Sequence, residues 1–139
     1  DNAYDWIYRS HNDNLWTAGQ KSLNDPCPRG WRVPDGGDNG IWCESSGSSL
    51  DNTYDSTNAG MNFSGKFGSA STIWYPASGH RDYVGSLDGV GRICYYWSAS
   101  AVDYYTGFLY FNDYGNVRPS NYSQGYAYGR SVRCLQESK

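Results

Sequence analysis

The residues best suited to chemistry in this chain are its tyrosines, and half of the 14 lie between Ser98 and Tyr128. That window contains no Lys, Glu, Met or Trp and a single Gln. Tyr supplies large amphipathic contact area at low rotamer cost, and Ser, Asn and Gly supply adaptable hydrogen bonds. The window is therefore typical of a ligand-binding surface. The alternative is a tyrosine-rich β-sheet, because Tyr and Asn also serve strands and turns.

Catalysis has few candidate residues. His11 and His80 are the only histidines in the sequence, and both fall among turn-forming residues. His80 with Cys94 is the one conceivable nucleophile–base pair. A histidine in a loop is usually solvated, however, and Cys94 is a candidate for a disulfide. Carboxylates such as Asp82 and Asp88 are expected to be loop charges, so we expect no enzyme and no catalytic residue.

The four cysteines, Cys27, Cys43, Cys94 and Cys134, are widely spaced and form no CxxC pair, so no zinc site is expected. Two disulfides among them allow three connectivities. We favour Cys27–Cys134, which would tie the start of the core to the C-terminal strand, and Cys43–Cys94 then remains. Buried free thiols in a reducing compartment are the alternative. Asp and Asn are numerous enough for a structural Ca²⁺, but no spacing points to a site, and we expect no cofactor.

Length and composition predict one domain, 1–139, with a largely aromatic core. The 6 Trp, 14 Tyr and 4 Phe stand against few Leu, Ile and Val. A net charge of −3 with scattered Lys and Arg indicates no nucleic-acid partner, and no apolar stretch is long enough for direct membrane insertion. Because the chain begins at Asp1 rather than Met, we infer a processed protein or an excised domain.

Most of the chain is expected to be loops and short strands. One short helix is predicted to begin at Asp38 or Asn39 and to end at Gly47. The polar, Gly-rich stretch 48–71 is expected to be surface loop. Strands are expected over 72–77, 93–100 and 131–135, the last with Val132 and Cys134 on one face.

The residues after 107 predict a hairpin whose side chains alternate between two faces. In the run F-L-Y-F-N, Leu109 and Phe111 are expected to face the core, which leaves Phe108, Tyr110 and Asn112 outward. The four residues that follow, D-Y-G-N, supply the turn.

Three segments together resemble a known family: NDPCPRGWRVP at 24–34, YYWSAS at 95–100 and GRSVRCL at 129–135. They resemble the FISUMP-type major paralogous domain of surface and fimbria-associated proteins of gut bacteria and their phages. The resemblance spans nearly the whole chain, with DNLW at 13–16 and the stretch 60–79 also included. It implies a single α+β domain of C-type-lectin-like fold, similar to formylglycine-generating-enzyme-like domains, with short helices and twisted antiparallel strands.

A subset of such domains resembles the variable proteins of diversity-generating retroelements. In those proteins, mutagenesis directed by a template randomises adenines, typically in AAC codons, near the C-terminus of a C-type-lectin-like domain. An AAC codon changed at its first two bases cannot give Lys, Glu, Gln, Met or Trp, the residues nearly missing from the tyrosine-rich window. The resemblance therefore implies a variable ligand-binding region at about 101–128.

The resemblance assigns ligand binding to positions that alternate with scaffold residues. The ligand-binding positions are Val102, Asp103, Tyr104, Tyr105, Phe108, Tyr110, Asn112, Tyr114, Arg118, Ser120, Asn121, Tyr122 and Ser123. The scaffold positions are Trp97, Gly107, Leu109, Phe111, Gly115, Val117 and Gly125. The outward positions that strand alternation gives between 108 and 112 belong to the first set.

Sugar-binding C-type lectins hold Ca²⁺ through EPN or QPD together with WND, whereas this chain has only FND at 111–113. A Ca²⁺-dependent monosaccharide site is therefore not expected. The resemblance implies an extracellular display domain that binds a protein or glycan receptor on a cell surface, as the hypervariable target of a retroelement on a phage tail or bacterial surface. The alternative is a fimbrial-tip or cell-surface adhesin or structural module that binds glycans or only supports other parts.

Overall fold

The computed structural model describes residues 15–38, 40–43, 51–64, 73–102, 105–123 and 127–138. Within these ranges the chain forms ten β-strands and no helix. The strands are β1 Trp31–Arg32, β2 Asp51–Asp55, β3 Gly60–Ser64, β4 Ile73–Pro76, β5 His80–Arg81, β6 Leu87–Asp88, β7 Ile93–Val102, β8 Tyr105–Asn112, β9 Val117–Ser123 and β10 Leu135–Gln136.

The expected α+β class, and with it the C-type-lectin-like architecture, is wrong for the described part of the chain. That part is all-β, with sheets of two or three antiparallel strands. Where the helix was expected to start, residues 40–43 form a turn in which the Cys43 N–H donates to the Gly40 carbonyl at 3.0 Å. Asn39 and residues 44–47 lie outside the described ranges. Two apolar residues on one side of a four-residue turn give the same local pattern as the start of a helix.

The first three-stranded sheet, in the order β2–β3–β4, occupies much of the stretch expected to be surface loop. That expectation is wrong because Met61 and Phe63 stand two residues apart on β3 and are fully buried. The reversal between β2 and β3 is held by Asp55, whose carboxylate accepts the backbone N–H groups of Thr57 and Asn58 at 2.9 and 3.1 Å. The polar residues at this point are typical of a chain reversal. The same polar composition gives little indication of the strands on either side of it.

The second three-stranded sheet, in the order β7–β8–β9, contains most of the tyrosine-rich window. The expected strand at 93–100 is confirmed and extends to Val102. The expected turn is also confirmed: the Asn112 side-chain oxygen accepts the N–H groups of Tyr114 and Asn116 at 3.1 Å, and Gly115 takes a φ of 79°. The pairing of β7 with β8 is irregular between Trp97 and Ala101, and the pairing of β8 with β9 is irregular between Phe108 and Tyr110.

The main core lies where side chains of these two sheets meet. The Phe63 and Phe111 ring centroids are 6.0 Å apart, and those of Tyr75 and Tyr96 are 5.0 Å apart, both pairs edge to face. Leu109 has no exposed surface, so the expected inward placement of Leu109 and Phe111 is confirmed. Such aromatic pairs add stabilisation beyond their buried area.

The Cys27–Cys134 disulfide is confirmed and fastens a second, smaller apolar cluster. Beside it the Asp25 carboxylate accepts the backbone N–H groups of Cys27 and Val33, each at 2.8 Å. The expected strand at 131–135 is found further along the chain. The last strand is β10, Leu135–Gln136, and it pairs with β1. The disulfide therefore joins the segment after Pro26 to the chain just before its last strand.

The expected Cys43–Cys94 disulfide is wrong, because both cysteines are free. Cys94 is fully buried in the main core, and its Sγ lies 3.1 Å from the Ser78 hydroxyl. Cys43 sits in the 40–43 turn, where burial and then the nearby Asp38 carboxylate raise the pKa of its thiol. The alternative of a buried free thiol therefore holds for Cys94.

Candidate ligand-binding site

The face of the β7–β8–β9 sheet opposite the main core carries a row of side chains across all three strands. Tyr95 on β7 is the register partner of Tyr110 on β8, and Tyr110 is the partner of Arg118 on β9. The Tyr95 and Tyr110 ring centroids lie 5.1 Å apart. Because directly opposed residues on neighbouring strands present their side chains on one face, this row places two phenol rings next to an exposed guanidinium. We call it the outer row.

The turn after β8 extends the surface beyond the outer row. Tyr114 at its tip is 78% exposed. Asn112 fixes the turn through its side-chain oxygen and donates from its side-chain nitrogen to the Tyr110 phenol oxygen at 3.1 Å. Arg92, the residue just before β7, donates from Nε to the Asp113 carboxylate at 2.9 Å and secures the turn. Asn112 therefore positions the Tyr110 ring as well as holding the turn.

The remaining positions that were predicted to bind a ligand are distributed along β7, β8 and β9. Tyr105 is 42% exposed at the start of β8, and Ser120 and Asn121 are half-buried on β9. For Val102, Tyr122 and Ser123 the structure describes only the backbone, which lies within β7 for Val102 and within β9 for the other two. Asp103 and Tyr104 lie outside the described residues.

The outward exposure expected of Phe108 is wrong. Strand alternation does put Phe108 on the same side of β8 as Tyr110, yet Phe108 is only 3% exposed. The Arg130 guanidinium carbon lies 4.2 Å from the centre of the Phe108 ring and covers it. The alternation correctly assigned the face, but a second layer from the C-terminal segment covers that face at this end.

Arg130 was not singled out from the sequence, although it lies at the centre of this covered end. Its guanidinium carbon is 4.3 Å from the Trp97 ring centroid, 5.3 Å from that of Tyr95 and 5.4 Å from that of Tyr128. Burial lowers the pKa of Arg130 to about 10, so the group stays cationic at neutral pH. Aromatic ring faces attract such a cation. The only available signal was an Arg close to Tyr128, which does not reveal which rings it meets.

A groove of about 390 Å³ opens beside Arg130. Two indoles form part of its wall: the Trp16 and Trp97 ring centroids are 6.3 Å apart with an interplanar angle of 81°. Trp16 donates from Nε1 to the Asn24 carbonyl at 3.0 Å, which orients its ring. Val132, which was expected on a strand face shared with Cys134, is 37% exposed and lines the groove.

The side chains of His80 on β5 and Cys94 on β7, the pair with possible catalytic chemistry, lie on opposite sides of β7. The His80 ring packs edge-on to Tyr95, with centroids 4.8 Å apart, on the outer side. Cys94 belongs to the main core. The two side chains are therefore not assembled as a nucleophile and its base, while His11 lies outside the described residues.

Within the described ranges, no three His, Cys, Asp or Glu side chains are grouped so that they could hold a metal ion. The same ranges contain no helix long and apolar enough to cross a membrane.

No protein-family model matches this chain, and no curated protein or solved structure matches it. The resemblance to FISUMP-type domains and retroelement variable proteins therefore stays a prediction that rests on the quoted segments and on the residue set of the tyrosine-rich window.

Proposed function

We propose that this protein is a ligand-binding display domain that uses the outer row and the adjoining Tyr114 turn to contact a protein or glycan receptor. The observation that carries the proposal is the outer row itself, Tyr95–Tyr110–Arg118, which is continuous in register across three strands. Rigid tyrosine rings offer apolar contact area, and an arginine adds charge-assisted hydrogen bonds. Such residues dominate the binding energy of many interfaces.

The support beneath this surface favours binding without reorganisation. The reverse face of the same strands carries Leu109 and Phe111, which are fully buried. The turn at the end of the surface is fixed by Asn112 and by the Arg92–Asp113 ion pair. A ligand therefore meets side chains that are already positioned, which lowers the entropic cost of association.

The finer part of the proposal is that a retroelement diversifies this surface on a phage tail or bacterial cell. The Cys27–Cys134 disulfide fits an oxidising, extracellular environment, because such bonds persist there. Sequencing of sister copies tests the idea: we expect substitutions at Tyr105, Tyr110 and Tyr114, with Phe108 constant because it is buried. Substitutions scattered through the core would instead favour an ordinary adhesin or structural module.

Charge reversal and ring removal test the display surface directly. We expect the Tyr110→Ala/Arg118→Glu double variant to lose at least about tenfold in affinity for receptors found by screening glycan arrays and intact bacterial cells, because both changes remove contact groups. Arg29→Glu is the matched control, since it makes the same charge change at an exposed position outside the outer row. Unchanged binding by a folded double variant would contradict the proposal.

A further inference from the structure

We propose that the outer face of the β2–β3–β4 sheet is a second binding site, for a neutral oligosaccharide that stacks a sugar ring with equatorial hydroxyls on the Trp74 indole. The two three-stranded sheets pack through their inner faces, with Phe63 against Phe111. Their outer faces therefore point away from each other, and this site is separate from the outer row and independent of the proposed function.

Alternation along the strands places a row of three side chains on this outer face. Met61 and Phe63 of β3 are buried in the main core, so Asn62 between them points outward. Asn62 is the register partner of Thr53 on β2 and of Trp74 on β4. Because directly opposed residues on neighbouring strands present their side chains on one face, Thr53, Asn62 and Trp74 form one row across the sheet.

The indole of Trp74 is both supported from below and open to solvent. A side-chain carbon added at Gly60, which is on the same face of β3 as Asn62, would lie 2.6 Å from Cε2 and Nε1 of Trp74. The indole therefore rests against the Gly60 backbone, yet Trp74 keeps 40% of its surface exposed. A sugar ring with equatorial hydroxyls has C–H groups on its faces, and these can pack on the exposed indole surface.

The other two members of the row supply the polar groups that sugar hydroxyls need. An amide such as that of Asn62 has two donors and an acceptor, and a threonine hydroxyl acts as either. Within the described ranges, the side chains of Thr53, Asn62 and Trp74 make no hydrogen bond to the protein. Thr53 is exposed and Asn62 is half-buried, so ligand hydroxyls can replace water on both.

The charge of this face favours a neutral ligand. Among the residues that have a described side chain on this face, Asp55 alone is charged. Its carboxylate is engaged at the β2–β3 reversal, where it accepts from Nδ2 of Asn58 at 2.7 Å as well as from backbone N–H groups. The row thus offers hydrogen bonds without a cation that would attract an acidic ligand.

The size of the face favours a sugar over a protein partner. Two of the strands have five residues and β4 has four. At about 4.8 Å between strands and about 3.4 Å per residue, the face measures roughly 10 Å by 17 Å, on the order of 200 Å². A stable protein interface takes about 800 Å² from each partner. This face is therefore too small for a stable protein contact by itself, but it accommodates one or two sugar rings.

An NMR titration of the intact ¹⁵N-labelled domain with cellotetraose, whose rings carry equatorial hydroxyls, tests the site. We expect a saturable shift of the Trp74 indole N–H signal. The Trp42 indole should not respond, because it is buried and donates to the Tyr75 hydroxyl at 3.2 Å. Sorbitol, which has hydroxyls but no ring, should give no saturable shift. A cellotetraose shift that never saturates, or an equal response to sorbitol, would overturn the proposal.

Two tryptophans of equal exposure make a matched pair of variants. Trp74→Ala should weaken cellotetraose binding at least about tenfold, because it removes the stacking surface. Trp31→Ala is the control, since Trp31 is also 40% exposed but lies on β1, outside this sheet. The backbone amide signal of Asn62 follows binding in both variants. Equal affinity in the two variants would contradict the inference.

A last pair of variants tests the polar part of the row and its separation from the display surface. Asn62→Leu replaces the amide by an apolar group of similar size and should weaken cellotetraose binding by about fivefold. An unchanged Trp42 indole signal would show that the core beneath the sheet is intact. Tyr110→Ala should leave the titration unchanged, because Tyr110 belongs to the other sheet. Full binding by Asn62→Leu, or loss of binding by Tyr110→Ala, would contradict this site.

Discussion

The two faces of the β7–β8–β9 sheet are built from alternate residues of the same strands but have different surroundings. On the inner face, Leu109 and Phe111 are fully buried against the other three-stranded sheet. On the outer face the burial is graded: Phe108 is covered, Tyr110 is half-buried and Arg118 is exposed. The inner face therefore packs into the core. The outer face is buried at one end and exposed to solvent at the other.

The gradient arises from the C-terminal segment, which returns over only one end of the outer face. Bridges pair Arg81 with Gly129 and Tyr96 with Ser131, and Arg130 between them covers Phe108. One face of a sheet can therefore contain both a packed cluster and a contact surface. Which of the two a residue joins depends on the layer above it.

The largest effect is expected on the inner face. Phe111→Ala should lower the free energy of unfolding by about 3–5 kcal/mol, because it leaves a cavity between Phe63 and Tyr96 in a fully packed region. Urea denaturation followed by tryptophan fluorescence measures the change. A loss below about 1 kcal/mol would mean that this face is not the core.

An intermediate effect should distinguish the two ends of the outer face. Phe108→Ala is expected to cost about 3 kcal/mol, since it removes a buried ring beneath Arg130. Tyr110→Ala, two residues along on the same face, is the matched variant and should cost about 1 kcal/mol or less. Equal costs in urea denaturation would remove the distinction between a covered and an open end.

The last expected effect, which is absent at neutral pH, is a fall in stability at alkaline pH. Burial raises the pKa of Tyr96 on the inner face above the ordinary 10.0, and its hydroxyl donates to the Pro76 carbonyl at 3.0 Å. The unfolded tyrosine ionises near pH 10 while the folded one stays protonated. The free energy of unfolding that protonated Tyr96 contributes is therefore fully present below pH 10. It is lost as the pH rises further, by about 1.4 kcal/mol per pH unit.

Urea denaturation at a series of pH values between 8 and about 11 measures this loss. Tyr96→Phe has no group to ionise, so its stability should fall with a shallower slope above pH 10 than that of the wild type. The same slope in both proteins would show that Tyr96 does not contribute to the alkaline loss.

The features predicted correctly from the sequence are those set by local geometry. Alternation along a strand placed Leu109 and Phe111 inward, and the sequence D-Y-G-N marked the hairpin turn. The first β-hairpin was missed, because Met61 and Phe63 give only two apolar positions within a polar, Gly-rich stretch. The predicted helix failed for the same reason, since a single turn with Trp42 buried gives too short a pattern to separate a helix from a loop.

The sequence by itself determined the restricted residue set of the tyrosine-rich window and the alternation of its strands. Only the tertiary structure decided that Phe108 is buried beneath Arg130, 22 residues later in the chain, and that Cys94 stays free in the core. The physical reason is the sequence separation of the residues involved. Side chains along a strand alternate every two residues, so the local sequence predicts which face each residue is on. Whether another segment buries that face depends on contacts between residues far apart in the chain.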